Sequence, residues 1–129
     1  MEIEEAFYNF ITTQGITSNL VSTRVYPLVI PQDATLPAIA YQRISGHREL
    51  THDQPQRGMK HARLQITITA TDYDDVKSVA AAIWLLFDGF RGMWGTLYIQ
   101  RCAVESLGDG YGATLERVTT RLDLVVVYR

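Results

Sequence analysis

With 129 residues, of which 47% are hydrophobic and 20% charged, the chain has the length of one globular domain and is too apolar to stay disordered. Its net charge of −2 and isoelectric point near 5.9 lack the basic excess of a general nucleic-acid binder. A single cysteine, Cys102, excludes an internal disulfide and any cysteine-built metal cluster, and points to a reducing compartment. The opening residues MEIEEAFYNF are acidic and lack the basic start and apolar run of a signal peptide. No apolar stretch approaches the roughly 18 residues of a membrane span. The expectation is a soluble protein made inside the cell, with no membrane role.

Ile3, Phe7, Phe10 and Ile11 recur at helical spacing and predict a helix over residues 2–13, with Glu2, Glu4 and Glu5 favoured at its positive end. Gly15 is a plausible stop, and a short helical turn is expected over Ser18 to Ser22. Pro27, Pro31 and Pro37 make Arg24 to Pro37 an extended connection rather than regular structure. A strand is predicted from Ala38 to about Glu49. Residues 50–60 are polar with Pro55 and Gly58, so positions 47–61 read as a long, mobile hairpin loop. The clearest strand follows: Leu64, Ile66, Ile68 and Ala70 alternate with Arg63, Gln65, Thr67, Thr69 and Thr71.

Thr71 or Asp72 should cap a second helix, whose core stripe is Val76, Val79, Ala80, Ile83, Phe87 and Phe90. Trp84, Leu85 and Leu86 widen that stripe almost all round, which marks either deep burial or a subunit contact. Gly89 and Gly92 end the helix. Residues 96–105 predict a third strand with a bulge near Arg101, where the apolar phase shifts. Gly108, Gly110 and Gly112 read as a glycine-rich turn. The last strand runs from about Leu115 to Tyr128, and Val125 and Val127 on its second face argue that it is central or covered. The expected fold is α+β, in the order α-β-β-α-β-β. It is one domain over residues 1–129, a largely antiparallel four-stranded sheet with helices packed on one face.

No set of residues predicts catalysis, and no cofactor is expected. His47, His52 and His61 fall in or beside the long loop at no zinc spacing. Asp72, Asp74 and Asp75 are explained by their place at a helix start, and they lack the glycine and terminal glutamate of a calcium loop. No helix follows the glycines at 108–112, so they offer no phosphate cradle. Cys102 has no visible catalytic partner, and no G-x-S-x-G elbow is present. One asymmetry remains. Arg43, Arg48, Arg57, Lys60 and Arg63 face only Glu49 and Asp53, a local balance of +3 in a chain of net −2. This is either a solvated loop or a basic flap that meets an acidic neighbour or phosphates.

The ordered segments LPAIAYQRISG (36–46), HARLQITITATDYDDVKSVAAAI (61–83) and LFDGFRG (86–92), with the closing strand LDLVVVYR, resemble the tail completion proteins of long-tailed bacteriophages and prophages. The resemblance spans roughly the whole chain, and none of its motifs is catalytic. It implies a non-enzymatic virion protein similar to tail terminators, whose subunits form hexameric rings on the last ring of the tail tube. Such a ring stops tube growth and offers a docking face to the head connector. The implied partners are further copies of the chain, the tail-tube protein, the head connector or head-closure protein, and DNA passing through the lumen. The implied location is the head-proximal end of the tail, after synthesis in the bacterial cytoplasm. The candidate partner-contact residues are His47, Arg48, His52, Arg57, Lys60 and His61 of the loop, with Trp84 and Leu85 of the helix. A head-closure or connector-joining neck protein is the nearest alternative. A small ligand-binding domain would need a deep pocket with converging polar groups, and a nucleic-acid module would rest on the basic loop.

Overall fold

The computed structural model describes residues 2–15, 20–21, 24–48, 59–112 and 117–129. Its elements are helix α1 (Ile3–Thr13), strands β1 (Val25–Pro27), β2 (Ala38–Arg48) and β3 (Lys60–Ala70), helix α2 (Tyr73–Phe87), and strands β4 (Gly92–Trp94), β5 (Leu97–Gly112) and β6 (Arg117–Tyr128). Leu20 and Val21 are helical; the rest of the turn expected over Ser18 to Ser22 lies outside the described residues.

The strands form one curled, half-barrel sheet in the order β1-β2-β3-β6-β5-β4. The expected four-stranded antiparallel sheet in the order α-β-β-α-β-β is therefore wrong: among the described residues the sheet has six strands and is mixed. Both additional strands are three-residue edges that give no periodic signal. In β1, Val25, Tyr26 and Pro27 pair in parallel with Ile39, Ala40 and Tyr41. Pro27 is tolerated because it ends an edge strand, where its missing N–H leaves no ladder bond broken. In β4, Gly92–Trp94 folds back on Leu97–Ile99 through a two-residue turn in which Gly95 takes φ 60°.

The alternation read in the two central strands is the frame of the core. Leu64, Ile66 and Ile68 of β3 and Leu122, Leu124 and Val126 of β6 are buried, in register, on the face that carries both helices. Ile3, Phe7 and Ile11 of α1 and Val76, Val79, Ile83 and Phe87 of α2 complete this core. Burial of each such side chain contributes about 1.5–3 kcal/mol. An aromatic cluster ties the helices to the short β4 edge. The Phe7 and Phe87 ring centroids are 5.5 Å apart, and Trp94 stands 5.6 Å from both Phe10 and Phe87.

Three local expectations change. Gly108, Gly110 and Gly112 lie inside β5 rather than in a turn. Gly108, at φ 107°, sits on a shift of register between Ser106 and Gly108, and Gly110 lies opposite Thr119. The other shift in β5, between Ile99 and Arg101, is where the apolar phase changes in the sequence. Asp72 occupies the N-cap of α2 without a side-chain cap bond. The β2–β3 ladder runs through His47↔His61 and Arg48↔Lys60, so these four positions are strand and not loop.

Candidate assembly interface

The helix-free face of the sheet is polar and internally bonded. Arg63 of β3 donates to Asp123 of β6 at 2.7 Å and lies 4.0 Å from Glu105 of β5. Asp123 is only 2% exposed, and its Oδ1 has no hydrogen-bond partner among the described residues. Arg117, on the same face, donates to the carbonyl of Gln32 at 2.6 Å. That bond ties the 28–36 segment to the start of β6.

At the start of α2, Asp109 of β5 accepts from Thr120 at 2.8 Å, from Lys77 at 3.1 and 3.2 Å, and from Tyr73 at 3.3 Å. The Thr120 bond first, and the Lys77 bond next, hold the Asp109 carboxyl below its usual range. The bond to Asp109, followed by that to Tyr73, raises Lys77. At the other end of α2, Val104 N–H donates to Asp88 Oδ1 and Gly89 N–H donates to the Cys102 carbonyl, which fixes the helix exit on β5. Burial, with the Asp88 carboxylate adding to it, pushes the Cys102 thiol up to about 12, so this cysteine is an inert core residue.

The surface clefts are open and shallow. One of about 310 Å³ lies between α2 and the β5–β6 pair and is lined by Lys77, Ala80, Ala81, Trp84 and Leu122 among others. Another of about 400 Å³ lies beside Tyr73, Asp109 and Tyr111. Among the described residues no group of three or more His, Cys, Asp or Glu could hold a metal ion. Among the same residues no helix is long and apolar enough to cross a membrane.

The residues singled out from sequence fall in two places. His47 and Arg48 end β2, opposite His61 and Lys60 at the start of β3; Lys60 is exposed and His61 half-buried. His52 and Arg57 lie outside the described residues. Trp84 (40% exposed) and Leu85 (74% exposed) are on the outer side of α2. The structure does not join the two sets. Lys60 pairs with Tyr128, whereas Trp84 lines the cleft beside Leu122, six residues away along β6 or roughly 20 Å.

Sequence reasoning missed a third feature, the turn after β1. Leu28 (67% exposed) and Val29 (74% exposed) stand next to one another in solvent. Leu28 has φ 67°, a left-handed conformation that costs a side-chain-bearing residue about 1–2 kcal/mol. The signal in the sequence is the apolar run Leu28, Val29 and Ile30 between Pro27 and Pro31, in a segment whose three prolines otherwise predict only a connection.

No protein-family model matches the chain, and no curated protein matches it in sequence. Its fold is shared with a chain in a solved virion of a native gene transfer agent particle. The likeness has a TM-score of 0.74 and covers 98% of this chain and 93% of that one, at 14% sequence identity. What the two have in common is therefore the fold, over almost the whole of both chains.

Proposed function

We propose that the chain is a structural subunit of a virion, and within it the tail completion subunit. Copies form a ring that caps the head-proximal end of the tail tube and presents a docking face for head joining. The observation that carries this reading is the likeness in fold to a virion chain over almost the entire length of both proteins. The ordered segments 36–46, 61–83 and 86–92 support the tail role. The chemistry of the surface is consistent with a protein that works by contact: shallow clefts, an apolar helix exterior and a basic hairpin end, with the one thiol in the core.

The mechanism is capping by surface complementarity. A ring bound to the growing tube end replaces a surface that recruits tube subunits with one that does not. The test is deletion of the gene in its host, followed by electron microscopy of the particles. Overlong tails unattached to heads are expected, with normal length restored when the protein is supplied. Tails of normal length that fail to join heads would move the chain to a neck-adaptor role. Intact particles would overturn the virion reading altogether.

A further inference from the structure

The Leu28–Val29 turn is fixed from beneath. Leu28 N–H donates to the Tyr41 carbonyl at 2.8 Å, and Val29 N–H donates to the Pro27 carbonyl at 2.7 Å. Folding gives no reason for leucine at position 28, because its backbone is left-handed and its side chain is two-thirds in solvent. Asparagine or glycine would occupy that backbone with less strain. A strained apolar residue held on the surface is accounted for by something that binds it.

An open apolar cleft lies elsewhere on the same chain. The cleft of about 310 Å³ beside α2 is walled by Ala80, Ala81, Trp84 and Leu122. From Ser78 to Phe87 the helix carries no charge, and exposed Leu85 extends the apolar wall one turn beyond Ala81. The turn cannot reach the cleft of its own chain. Tyr41, Ile66, Leu122 and Ser106 form one cross-strand row. The turn is bonded at the Tyr41 end and the cleft lies at the Leu122–Ser106 end, three interstrand steps or roughly 14 Å apart. Asp33, exposed, is the one charged residue of segment 28–36; Lys77, the one charged residue lining the cleft, already bonds Asp109 but keeps its side chain 44% exposed and so can take a second carboxylate.

We propose that the Leu28–Val29 turn of one copy seats in the α2 cleft of a second copy, with Asp33 brought towards Lys77. The two halves lie at different places on the chain, so the contact is heterologous and repeats from copy to copy until the rotation closes. Closure into a ring rests on the function proposed above; the pairwise contact does not.

The test uses the full chain carrying Val29→Cys and Ala81→Cys together; the native Cys102 is buried and does not compete. Mild oxidation should give a ladder of disulfide-linked oligomers from the double variant and none from either single variant. In parallel, Leu28→Asn, which suits the left-handed backbone, and Leu85→Asp should each weaken self-association about tenfold or more by sedimentation, with unchanged thermal melts. Mixed in equal amounts, these two variants should form dimers and nothing larger, because one turn and one cleft remain intact between them. Oligomers that form without the 29–81 crosslink, or that ignore both substitutions, would overturn this contact and leave the ring reading standing. A chain that is monomeric and uncrosslinked at every concentration would overturn self-contact itself, while the gene-deletion result would still judge the virion reading separately.

Discussion

At Asp109 three side chains from two elements converge, and their hydrogen bonds hold the start of α2 against β5 and β6. The Asp109 carboxyl is held down by Thr120 and Lys77, so its folded value lies below the ordinary 3.8. A group depressed in the folded state contributes stability that is complete above its ordinary value and is lost as pH falls through the folded value. Asp109→Asn should therefore lower the urea midpoint at neutral pH, and the deficit should vanish in strong acid. A deficit that persists there would assign the effect to packing. For Lys77, raised above 10.5, the sign is reversed: its contribution is present below that value and disappears as pH rises through the raised one. Arg63 presents a different case. It bonds Asp123, a buried carboxylate whose second oxygen already lacks a partner among the described residues. Arg63→Met would leave a buried acceptor unpaired, at a cost of about 1–3 kcal/mol. Asp123→Asn, which removes the charge and keeps the shape, should cost less. Chemical denaturation of the two variants checks the order, and equal losses would show that Asp123 is buried without depending on Arg63.

Among the elements, β5 differs most from its reading as a strand that ends in a glycine turn. Its glycines serve the ladder instead. A Cβ on Gly110 would lie 2.9 Å from Thr119 Oγ1, directly across the pair, so Gly110→Ala should destabilise by about 1 kcal/mol. Adding Thr119→Ala should recover most of that loss; no recovery in thermal melts would mean that the backbone, not the cross-strand clash, needs glycine. The same strand shows what was legible and what was not. The alternation of Leu64, Ile66 and Ile68 with Gln65 and Thr67, and of Leu122, Leu124 and Val126 on β6, follows from one buried face, and such patterns survive in sequence. The phase shift before Cys102 was legible for the same reason. Glycine carries no such imprint, since it serves turns and bulges alike. The edge strands β1 and β4 are three residues each, too short for a period, and Pro27 argued against the first; for the second, Gly95 and Thr96 between Trp94 and Leu97 were a hairpin signal that went unused. At the candidate interface, Trp84 and Leu85 were visible as apolar residues on the wrong side of a helix. Leu28 was not, because a positive φ at leucine follows from no local rule.

At the scale of the molecule, a subunit that both closes a ring and caps a tube needs two kinds of surface, one turned to its neighbours and one along the axis. The fold separates its candidates accordingly. The Leu28–Val29 turn and the α2 cleft lie on the Tyr41–Leu122 row, while the Arg48–Lys60 pair lies beside Tyr128, roughly 20 Å further along the strands. Arg48 and Lys60 therefore do not share the surface proposed for self-contact, whereas Arg43 lines the groove beside Leu28, so an axial role for the hairpin can be removed beyond Arg48 without disturbing the lateral one. The register shows how. Arg48 and Lys60 face each other across the ladder, so replacing residues 49–59 with Asn-Gly would join them by a two-residue hairpin turn of favoured type. The shortened chain should melt at the temperature of the parent and self-associate as well as the parent. Supplied to a host lacking the gene, it should fail to limit tail length or to join heads, because the segment proposed to meet tube or connector is missing. Normal particles from the shortened chain would remove the hairpin from the axial contact and leave the polar, helix-free face of the sheet as the surface to examine. Failure of self-association in the shortened chain would instead show that the lateral contact extends to the hairpin, and that the two surfaces are not separable in the way the register implies.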